Sequence, residues 1–367
     1  MKKINRRKFL GSAATTTLVT ALGANRATAA TSQGKIGVAL VGLGYYSQDL
    51  LAPALQLTQH CELRGIVTGS PEKIPVWQAK YGIKDSNIYN YDNLHQVADN
   101  PDIDVIYVVL PTSLHKKYTL IAANAGKHVW CEKPMAMTAA DCQEMIDVCK
   151  KNKVQLTIGY RLRHEPNTQT VIEYAKSQPY GPIKDIIARA GYKGGAPSPD
   201  SWRLSRKMGG GAAYDMGVYP LNAARYTSAE EPIAVSARHE VYRPEVFKEV
   251  DEATFFTLEF PSGATAECAT SVNENMNHLR ANCEKGWYEL KPFQSYSGVS
   301  GRTSDGLDLN KPLENQQAAQ MDNDALAILN NSQVLVPGEV GLKDIRVVEA
   351  ILKSAAQQGK RVTISES

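Results

Sequence analysis

The stretch "KIGVALVGLGYYS", residues 35–47, joins an apolar run to a turn that contains two glycines. The run from Ile36 to Val41 has the continuous hydrophobicity of a buried parallel strand, and apolar residues recur at helical spacing after the turn. Gly42 permits the tight turn, and Gly44 lets a ligand approach backbone N–H groups at a helix N-terminus. Ser47 occupies the position of the usual third glycine and is small enough for close packing. The pattern predicts the first strand–turn–helix unit of a dinucleotide-binding fold.

Further strand–helix units follow along the chain. The strands read "CELRGIVTG", "IDVIYVVLP" and "KHVWCE", each is followed by a helical pattern, and a last strand reads "VQLTIGY". Strands that alternate with helices of about a dozen residues indicate a doubly wound parallel sheet. We therefore expect an α/β Rossmann domain over residues 30–160.

The end of the second strand bears on the choice of cofactor. An NAD site usually has a carboxylate there, which binds the ribose 2′-hydroxyl. This chain has Thr68, Gly69 and Ser70 in that turn, and Lys73 follows. Hydroxyls and a cation suit a 2′-phosphate, so the sequence favours NADP over NAD. The alternative for Lys73 is an ordinary lysine on a helix surface.

The first 29 residues have the organisation of an export signal. They contain six basic residues and no acidic ones, in the order "NRRKFLG", "SAATTTLVTALGA" and "ATAA". Arg6 and Arg7, followed by Phe9 and Leu10, resemble a twin-arginine signal. The apolar run is too short and too rich in threonine to span a bilayer. We expect cleavage after Ala29, a periplasmic location and no membrane association after cleavage.

Composition excludes several other classes of protein. The chain has 367 residues, 43% of them hydrophobic, which is enough for one large or two ordinary cores. Without the signal, 35 basic and 38 acidic residues remain, a net charge of −3 that predicts neither a nucleic-acid nor a membrane partner. The six cysteines show no metal-ligand spacing, so we expect buried thiols and no metal site.

Several motifs together resemble one family. "GLGYYS", "LPTSLH" and "CEKPMA" lie at successive strand ends, and "IGYRLRHEPN", "WRLSRKMGGGAAYDMGVYPLNAARY" and "ENQQAAQMDNDALAIL" follow. This set resembles the glucose–fructose oxidoreductase/inositol dehydrogenase (Gfo/Idh/MocA) family over nearly all of the chain after the signal. The resemblance implies an α+β domain with an open-faced mixed sheet over 161–340, which holds the substrate and builds a homodimer or homotetramer. Residues 341–367 are expected to form a C-terminal helix and tail that pack back on the body.

The resemblance also implies where the cofactor binds. The strand ends of the first domain and the loops that face them would hold NADP. This set consists of Gly42, Leu43, Gly44, Tyr45, Tyr46, Thr68, Gly69, Ser70, Lys73, Leu110, Pro111, Thr112, His115, Glu132, Lys133, Arg161, Trp202 and Arg203. Thr112 is also a candidate cap for the helix that follows it. A structural position beside the groove is the commoner alternative for His115.

Hydride transfer from a sugar C–H bond needs a base that takes the hydroxyl proton. In the family the lysine of the EKP motif contacts the reacting hydroxyl, which corresponds to Lys133. On one continuous helix Asp215, Tyr219 and Asn222 share a face. We expect Tyr219 to be the acid/base, Lys133 its electrostatic partner, Asp215 the group that orients the sugar, and Tyr160 and Asn222 further substrate contacts.

A phenol titrates near 10, about three units above neutral pH, so it acts as a base only beside a cation. The alternative for Tyr219 is a packed aromatic whose hydroxyl binds Asp215.

The expected function is therefore an exported, NADP-dependent sugar oxidoreductase. It would oxidise an aldose to its lactone and pass the hydride to a second sugar, since the periplasm offers no free NADPH pool. Exported relatives hold their cofactor with a long N-terminal arm, whereas only "ATSQGK" precedes the first strand here, so retention of NADP stays open. The alternatives are a sugar dehydrogenase or ketose reductase with exchangeable NADP(H), a glycosidase that oxidises its sugar transiently, and a non-catalytic sugar-binding protein.

Overall fold

The computed structural model describes residues 34–195 and 197–365, so the expected export signal lies outside the described residues. The first sheet has six parallel strands in the order β3-β2-β1-β4-β5-β6. They are β1 (Ile36–Val41), β2 (Cys61–Val67), β3 (Ile88–Tyr89), β4 (Val105–Val108), β5 (His128–Cys131) and β6 (Leu156–Ile158). The order reverses between β1 and β4, and a ligand crevice forms at the carboxyl ends of the strands at such a point. The Rossmann prediction is confirmed.

Helices cover both faces of this sheet. A π-helical turn (Tyr46–Leu51) runs into α1 (Ala52–Ala54), and α2 (Ile74–Tyr81), α3 (Thr112–Asn124) and α4 (Ala139–Lys151) follow. The side chain of Thr138 caps α4 by accepting from the N–H of Asp141. The prediction that Thr112 caps α3 is wrong. Pro111 is the N-cap residue and Thr112 is the first helical residue, so the Thr112 hydroxyl does not cap this helix.

The second sheet is mixed and has nine strands in the order β14-β13-β12-β11-β7-β10-β9-β8-β15. Its strands are β7 (Ile183–Lys193), β8 (Ala234–Glu240), β9 (Ala253–Glu259), β10 (Thr265–Ser271), β11 (Asn273–Cys283), β12 (Gly286–Leu290), β13 (Gly301–Thr303), β14 (Asp308–Leu309) and β15 (Val362–Thr363). Only β7 and β10 pair in parallel. The predicted α+β domain with a mixed sheet is confirmed.

The remaining helices join the two sheets. They are α5 (Pro166–Ser177), α6 (Ala212–Asp215), α7 (Val218–Ser228), α8 (Gln316–Leu329) and α9 (Gly338–Ala356). The helix α7 packs on β7, and α9 packs on β8 and α4. Within α8, Ala318, Met321 and Ala325 lie in the same hydrophobic cluster as Leu40 of the first sheet. The span 161–340 therefore contains a helix that completes the first domain.

A break between α6 and α7 corrects the expected continuous helix. Pro220 would remove a backbone hydrogen bond from a helix interior and clash with the carbonyl four residues earlier. The chain leaves the helix at Met216 and Gly217 and restarts at Val218, so Pro220 falls in a first turn, where no intrahelical partner is needed. Asp215 and Tyr219 thus lie on two different helices.

All six cysteines are buried and free, as the sequence predicts. Within residues 34–195 and 197–365, no helix is long and apolar enough to cross a membrane. The same residues contain no cluster of histidine, cysteine and acidic side chains that could hold a metal ion.

Candidate active site at the carboxyl edge of the first sheet

The turn after β1 has the backbone that a pyrophosphate site requires. Gly42 has a φ of +91°, and a Cβ atom there would lie 2.4 Å from the carbonyl oxygen of Val109. Ser47 closes the turn by donating from Oγ to the Gly42 carbonyl at 2.5 Å. A Cβ atom on Gly44 would meet nothing within 4 Å, so this side of the turn is open. The missing third glycine is therefore compensated by a serine that stabilises the turn.

The second cofactor loop is tied to the first by Lys73. Its Nζ donates to the carbonyl oxygen of Leu43 at 2.8 Å. Thr68 lies at the end of β2, where its Oγ1 accepts from the N–H of Ser70 at 3.0 Å. The cation therefore lies beside the glycine turn and is not a solvated surface lysine. No carboxylate occupies this turn.

His115 connects the ends of β4 and β5. Its Nδ1 lies 2.8 Å from the carbonyl oxygen of Pro134, and its Nε2 lies 2.7 Å from that of Leu110. Burial lowers the pKa of His115, which keeps the imidazole neutral. A neutral ring has one N–H and can donate to only one of the two carbonyls. This arrangement fits the structural alternative, in which His115 fixes the cofactor-lining loops and does not react.

Glu132 is buried directly before the catalytic candidate. Its Oε1 accepts from the Tyr107 hydroxyl at 2.7 Å, and its Oε2 accepts from the backbone N–H of Lys133 at 3.2 Å. A Cβ atom on Gly159 would meet Oε1 at 2.5 Å, so a larger residue would displace this carboxyl group. Burial raises the pKa of Glu132, and the Tyr107 hydrogen bond and the Lys133 charge oppose that shift only in part.

Lys133 brings Asp215 and Tyr219 together despite the helix break. Its Nζ donates to the backbone carbonyl of Asp215 at 2.8 Å and lies 4.4 Å from the centroid of the Tyr219 ring. Burial alone would lower the pKa of Lys133, but the neighbouring phenol and the two carboxylates outweigh it and raise the pKa. Lys133 is therefore an ammonium at neutral pH, held against the phenol. The Lys133–Pro134 peptide bond is cis.

Arg161 is a second cation near the Tyr219 ring. Its Cζ is 5.8 Å from the Tyr219 centroid and 4.4 Å from that of Tyr296. Nη1 donates to the carbonyl of Ser295 and to Gln316. Nε and Nη2 have no partner among the described residues, although Arg161 is only 1% exposed. A buried donor without a partner costs about 1–3 kcal/mol, so a ligand with oxygen atoms would stabilise this side chain.

Tyr296 was missed by the sequence analysis. Its ring packs against Arg161 and lies 6.4 Å from that of Tyr46, measured between centroids. It belongs to the loop "FQSYSG", which has no periodicity and no motif. The tyrosine itself, an amphipathic residue in a loop after a strand, was the available signal.

Asp215 is also held by Arg203. The Arg203 Nε donates to Oδ2 of Asp215 at 2.9 Å, and the same guanidinium lies 4.6 Å from the Trp202 ring centroid. The Asp215 side chain is 14% exposed, and the Arg203 side chain is 45% exposed. An exposed partner contributes about 0–1 kcal/mol to such a pair. The pair therefore orients the carboxylate at the mouth of the site more than it stabilises the fold.

Tyr160 and Asn222 lie behind the site, and their predicted contact with substrate is not supported. The amide of Asn222 donates from Nδ2 to Oδ2 of the fully buried Asp344 at 2.9 Å. Burial, and then the neighbouring Asp344, raise the pKa of Tyr160 well above its usual value. Arg225 also contacts Asp344. Asn222 therefore belongs to a buried polar cluster around Asp344.

Four more residues of the predicted cofactor set follow the ends of β1 and β4. Leu110 and Pro111 are half-buried at the end of β4, Thr112 is buried, and Tyr45 is 66% exposed beside the glycine turn. The open face of Gly44 and the unpartnered nitrogens of Arg161 fit a dinucleotide along this edge.

Comparison with known proteins agrees with this geometry. The family model described as "oxidoreductase family, NAD-binding Rossmann fold" matches residues 36–160, and the GFO/IDH/MocA C-terminal domain matches residues 168–289. The chain belongs to the Gfo/Idh/MocA oxidoreductase family. As a member of this family it is an enzyme of the oxidoreductase class with an NAD(P)-binding Rossmann domain.

Three relatives of this Gfo/Idh/MocA chain match most of its length. The aldose–aldose oxidoreductase from Caulobacter crescentus, solved in complex with glycerol, is 40% identical, with a TM-score of 0.85, over 90% of this chain and 99% of that one. The D-xylose 1-dehydrogenase [NADP(+)] of Haloarcula marismortui is 27% identical over 86% of this chain and 90% of its own. The D-glucoside 3-dehydrogenase of Escherichia coli K12 is 25% identical over 91% and 99%.

Proposed function

We propose that this enzyme transfers hydride between sugars and a nicotinamide, oxidising an aldose at C1 to the lactone and reducing a second sugar. The observation that carries the proposal is the ammonium of Lys133 held between the Tyr219 ring and the Asp215 carbonyl, beside the glycine turn. The 40% identity with an aldose–aldose oxidoreductase supports a pair of sugars as substrates.

The residues of this site divide the proton chemistry among them. A bound nicotinamide would supply the hydride acceptor and donor. The Lys133 ammonium stabilises Tyr219 as a phenolate, and this phenolate takes the proton of the C1 hydroxyl as the carbonyl forms and becomes a neutral phenol. Asp215, oriented by Arg203, accepts a hydrogen bond from a neighbouring sugar hydroxyl. When the second sugar is reduced, Tyr219 returns the proton to its carbonyl oxygen.

The proposed cofactor is NADP. Thr68 and Ser70 end the second strand without a carboxylate, and Lys73 supplies a cation beside the glycine turn. A carboxylate in that turn would repel a 2′-phosphate. The NADP(+)-dependent xylose dehydrogenase among the relatives supports the same choice.

The proposed location is the periplasm, and the proposed assembly is a homodimer or homotetramer. The twin-arginine motif supports export of a folded, cofactor-loaded protein. The second sheet keeps one partly exposed face, which carries Arg189, Phe255 and Glu267 and supports assembly through that face. Coupling between two sugars fits this location, since a nucleotide recycled on the enzyme needs no external supply.

The test is a spectroscopic titration of the mature protein, purified without added nucleotide. We expect glucose to raise the absorbance at about 340 nm, where reduced nicotinamide absorbs, and a second sugar to remove it. A protein that responds only after NADP is added is an exchangeable dehydrogenase. A protein that responds to no sugar under either condition contradicts the proposal.

A further inference from the structure

The buried face of α8 carries a row of polar side chains. Gln316, Gln320 and Asp324 follow one another at intervals of four residues, and each is at most 2% exposed. A helix that packs on a sheet usually buries apolar residues, since a buried polar group costs free energy unless it is hydrogen-bonded. Packing alone therefore does not account for this row.

Gln320 is the start of a chain of hydrogen bonds that ends at the active site. Its Nε2 donates to Oη of Tyr107 at 3.2 Å. The Tyr107 hydroxyl donates to Oε1 of Glu132 at 2.7 Å, and Oε2 of Glu132 accepts from the backbone N–H of Lys133 at 3.2 Å. Three contacts thus connect a helix of the C-terminal half to the catalytic lysine.

The direction of these bonds follows from the groups themselves. A phenol has one hydrogen and also accepts hydrogen bonds. Since the Gln320 amide donates to the Tyr107 oxygen, the single Tyr107 hydrogen is directed at Glu132. The carboxyl group is then an acceptor on both oxygens, which fixes its plane beneath Lys133.

We propose that Gln320 is a positioning residue that holds Glu132, through Tyr107, in the orientation that places Lys133 against Tyr219. The proposal rests on the proposed function for the assignment of Lys133 and Tyr219 as the acid/base pair. Gln320 touches neither of them and acts only through Tyr107 and Glu132. Without the Gln320 amide, we expect the Tyr107 hydroxyl to rotate freely. The hydrogen bond from Tyr107 to Glu132, which favours the ionised carboxylate, would then be weaker.

The effect of Tyr107 and Gln320 on the ionisation of Glu132 can be measured, because each can be changed while the other groups around Glu132 stay in place. The titratable groups that face it are Tyr46, Tyr107, Cys131, Lys133, Arg161 and Tyr296. Tyr107→Phe removes one hydroxyl and keeps the edge-on packing of this ring against Trp130, whose centroid lies 5.7 Å away. Gln320→Met removes the amide and keeps the length of the side chain. The other five groups stay in place in both variants.

The chain offers a matched control in Gln317. It neighbours Gln320 on α8 and is also buried, and its Nε2 has no hydrogen-bond partner among the described residues. Gln317→Met therefore imposes the same change of side chain at a similar depth without touching the path to Glu132.

The experiment is an infrared pH titration of the Glu132 carboxyl band, identified by subtracting the spectrum of Glu132→Gln. We expect Tyr107→Phe to raise the midpoint by about one pH unit, since a hydrogen bond to the ionised form is lost. Gln320→Met should raise it in the same direction by less, and Gln317→Met should leave it unchanged. In sugar oxidation, Gln320→Met and Tyr107→Phe should lower kcat about tenfold at constant KM.

Two results would overturn the positioning role. One is a midpoint that Tyr107→Phe leaves unmoved, and the other is an equal loss of kcat in Gln320→Met and Gln317→Met. A wild-type protein that oxidises no sugar would refute the proposed function instead. The infrared titration would still report whether Gln320 controls Glu132.

Discussion

The Lys133 ammonium and the Tyr219 ring lie 4.4 Å apart, measured from Nζ to the ring centroid, and each comes from a different domain. A cation over an aromatic face contributes about 0.5–2 kcal/mol, more when it is desolvated. The hydrogen bond from Nζ to the Asp215 carbonyl fixes the ammonium in the same place. The proposed acid/base pair is therefore assembled only when the two domains are packed together.

Tyr219→Phe tests the proton-transfer role. The variant removes the hydroxyl and keeps the ring on which Lys133 lies, so the fold should be retained. We expect kcat for sugar oxidation to fall about 10²–10⁴-fold, the usual contribution of a general acid/base. Tyr214→Phe, on the neighbouring helix α6, is the control. It removes a buried hydroxyl that donates to the Met137 carbonyl. Equal kcat losses in the two variants would assign Tyr219 to packing.

Lys133→Met tests the electrostatic role separately from cofactor binding. Methionine keeps the unbranched chain and removes the charge that would stabilise a phenolate. We expect kcat to fall about 10²–10⁴-fold, while the dissociation constant for NADP changes by no more than a few-fold. Isothermal titration of the variant with NADP and a steady-state assay provide the two readouts. Loss of nucleotide binding together with activity would make Lys133 a cofactor ligand and not an acid/base partner.

Much of this site could be predicted because its residues follow strands. Gly42, Lys73, His115 and Lys133 all follow the end of a strand by at most seven residues, and parallel strands bring their carboxyl ends to one edge. Residues that reach the site from outside that pattern were not predictable in the same way. Tyr296 comes from an aperiodic loop, and Gln320 belongs to a row of polar residues on α8 whose burial the sequence does not reveal.

The Asn222 amide binds Asp344, which departs from the expected face shared with Asp215. Spacing places Asp215, Tyr219 and Asn222 on one face only if the helix is continuous, and the helix breaks at Met216 and Gly217, so that Pro220 falls in the first turn of α7. Some strands of the second sheet are hard to predict from sequence for a different reason. The longest, β7 and β11, bury one side and expose polar residues on the other, so their hydrophobicity is too low for a strand signal.

Lys73→Ala tests the choice between NADP and NAD. The variant removes the cation beside the glycine turn, so a 2′-phosphate would lose its electrostatic partner. We expect the KM for NADP to rise about tenfold, while the KM for NAD stays within a factor of two. Lys80→Ala on α2 is the control, because this lysine is exposed and lies over the Tyr81 ring, away from the turn. An equal rise in KM for NADP and for NAD would show that Lys73 supports the turn and does not bind the 2′-phosphate.

Asp324→Asn tests the buried end of the α8 row. Burial raises the pKa of Asp324 well above 3.8, and neither carboxyl oxygen has a partner among the described residues. The folded state therefore binds a proton that the unfolded state releases above pH 3.8, so native stability falls as the pH rises from there towards the folded pKa.

Chemical unfolding of the wild type and Asp324→Asn across a pH series measures this effect. The free energy of unfolding of the variant, relative to that of the wild type, should not change with pH below pH 3.8. Above pH 3.8 it should grow by at most about 1.4 kcal/mol per pH unit. A difference in the free energy of unfolding that does not change with pH would contradict this protonation.

The most direct measurement follows one hydride from sugar to sugar. The mature protein is given glucose carrying deuterium at C1, an unlabelled second aldose and no added nucleotide, and the products are analysed by mass spectrometry. The proposed mechanism predicts one deuterium on each molecule of reduced aldose, in an amount equal to the glucono-lactone and its hydrolysis product. Reduced aldose without deuterium, or no reduced product even after NADP is added, would contradict it.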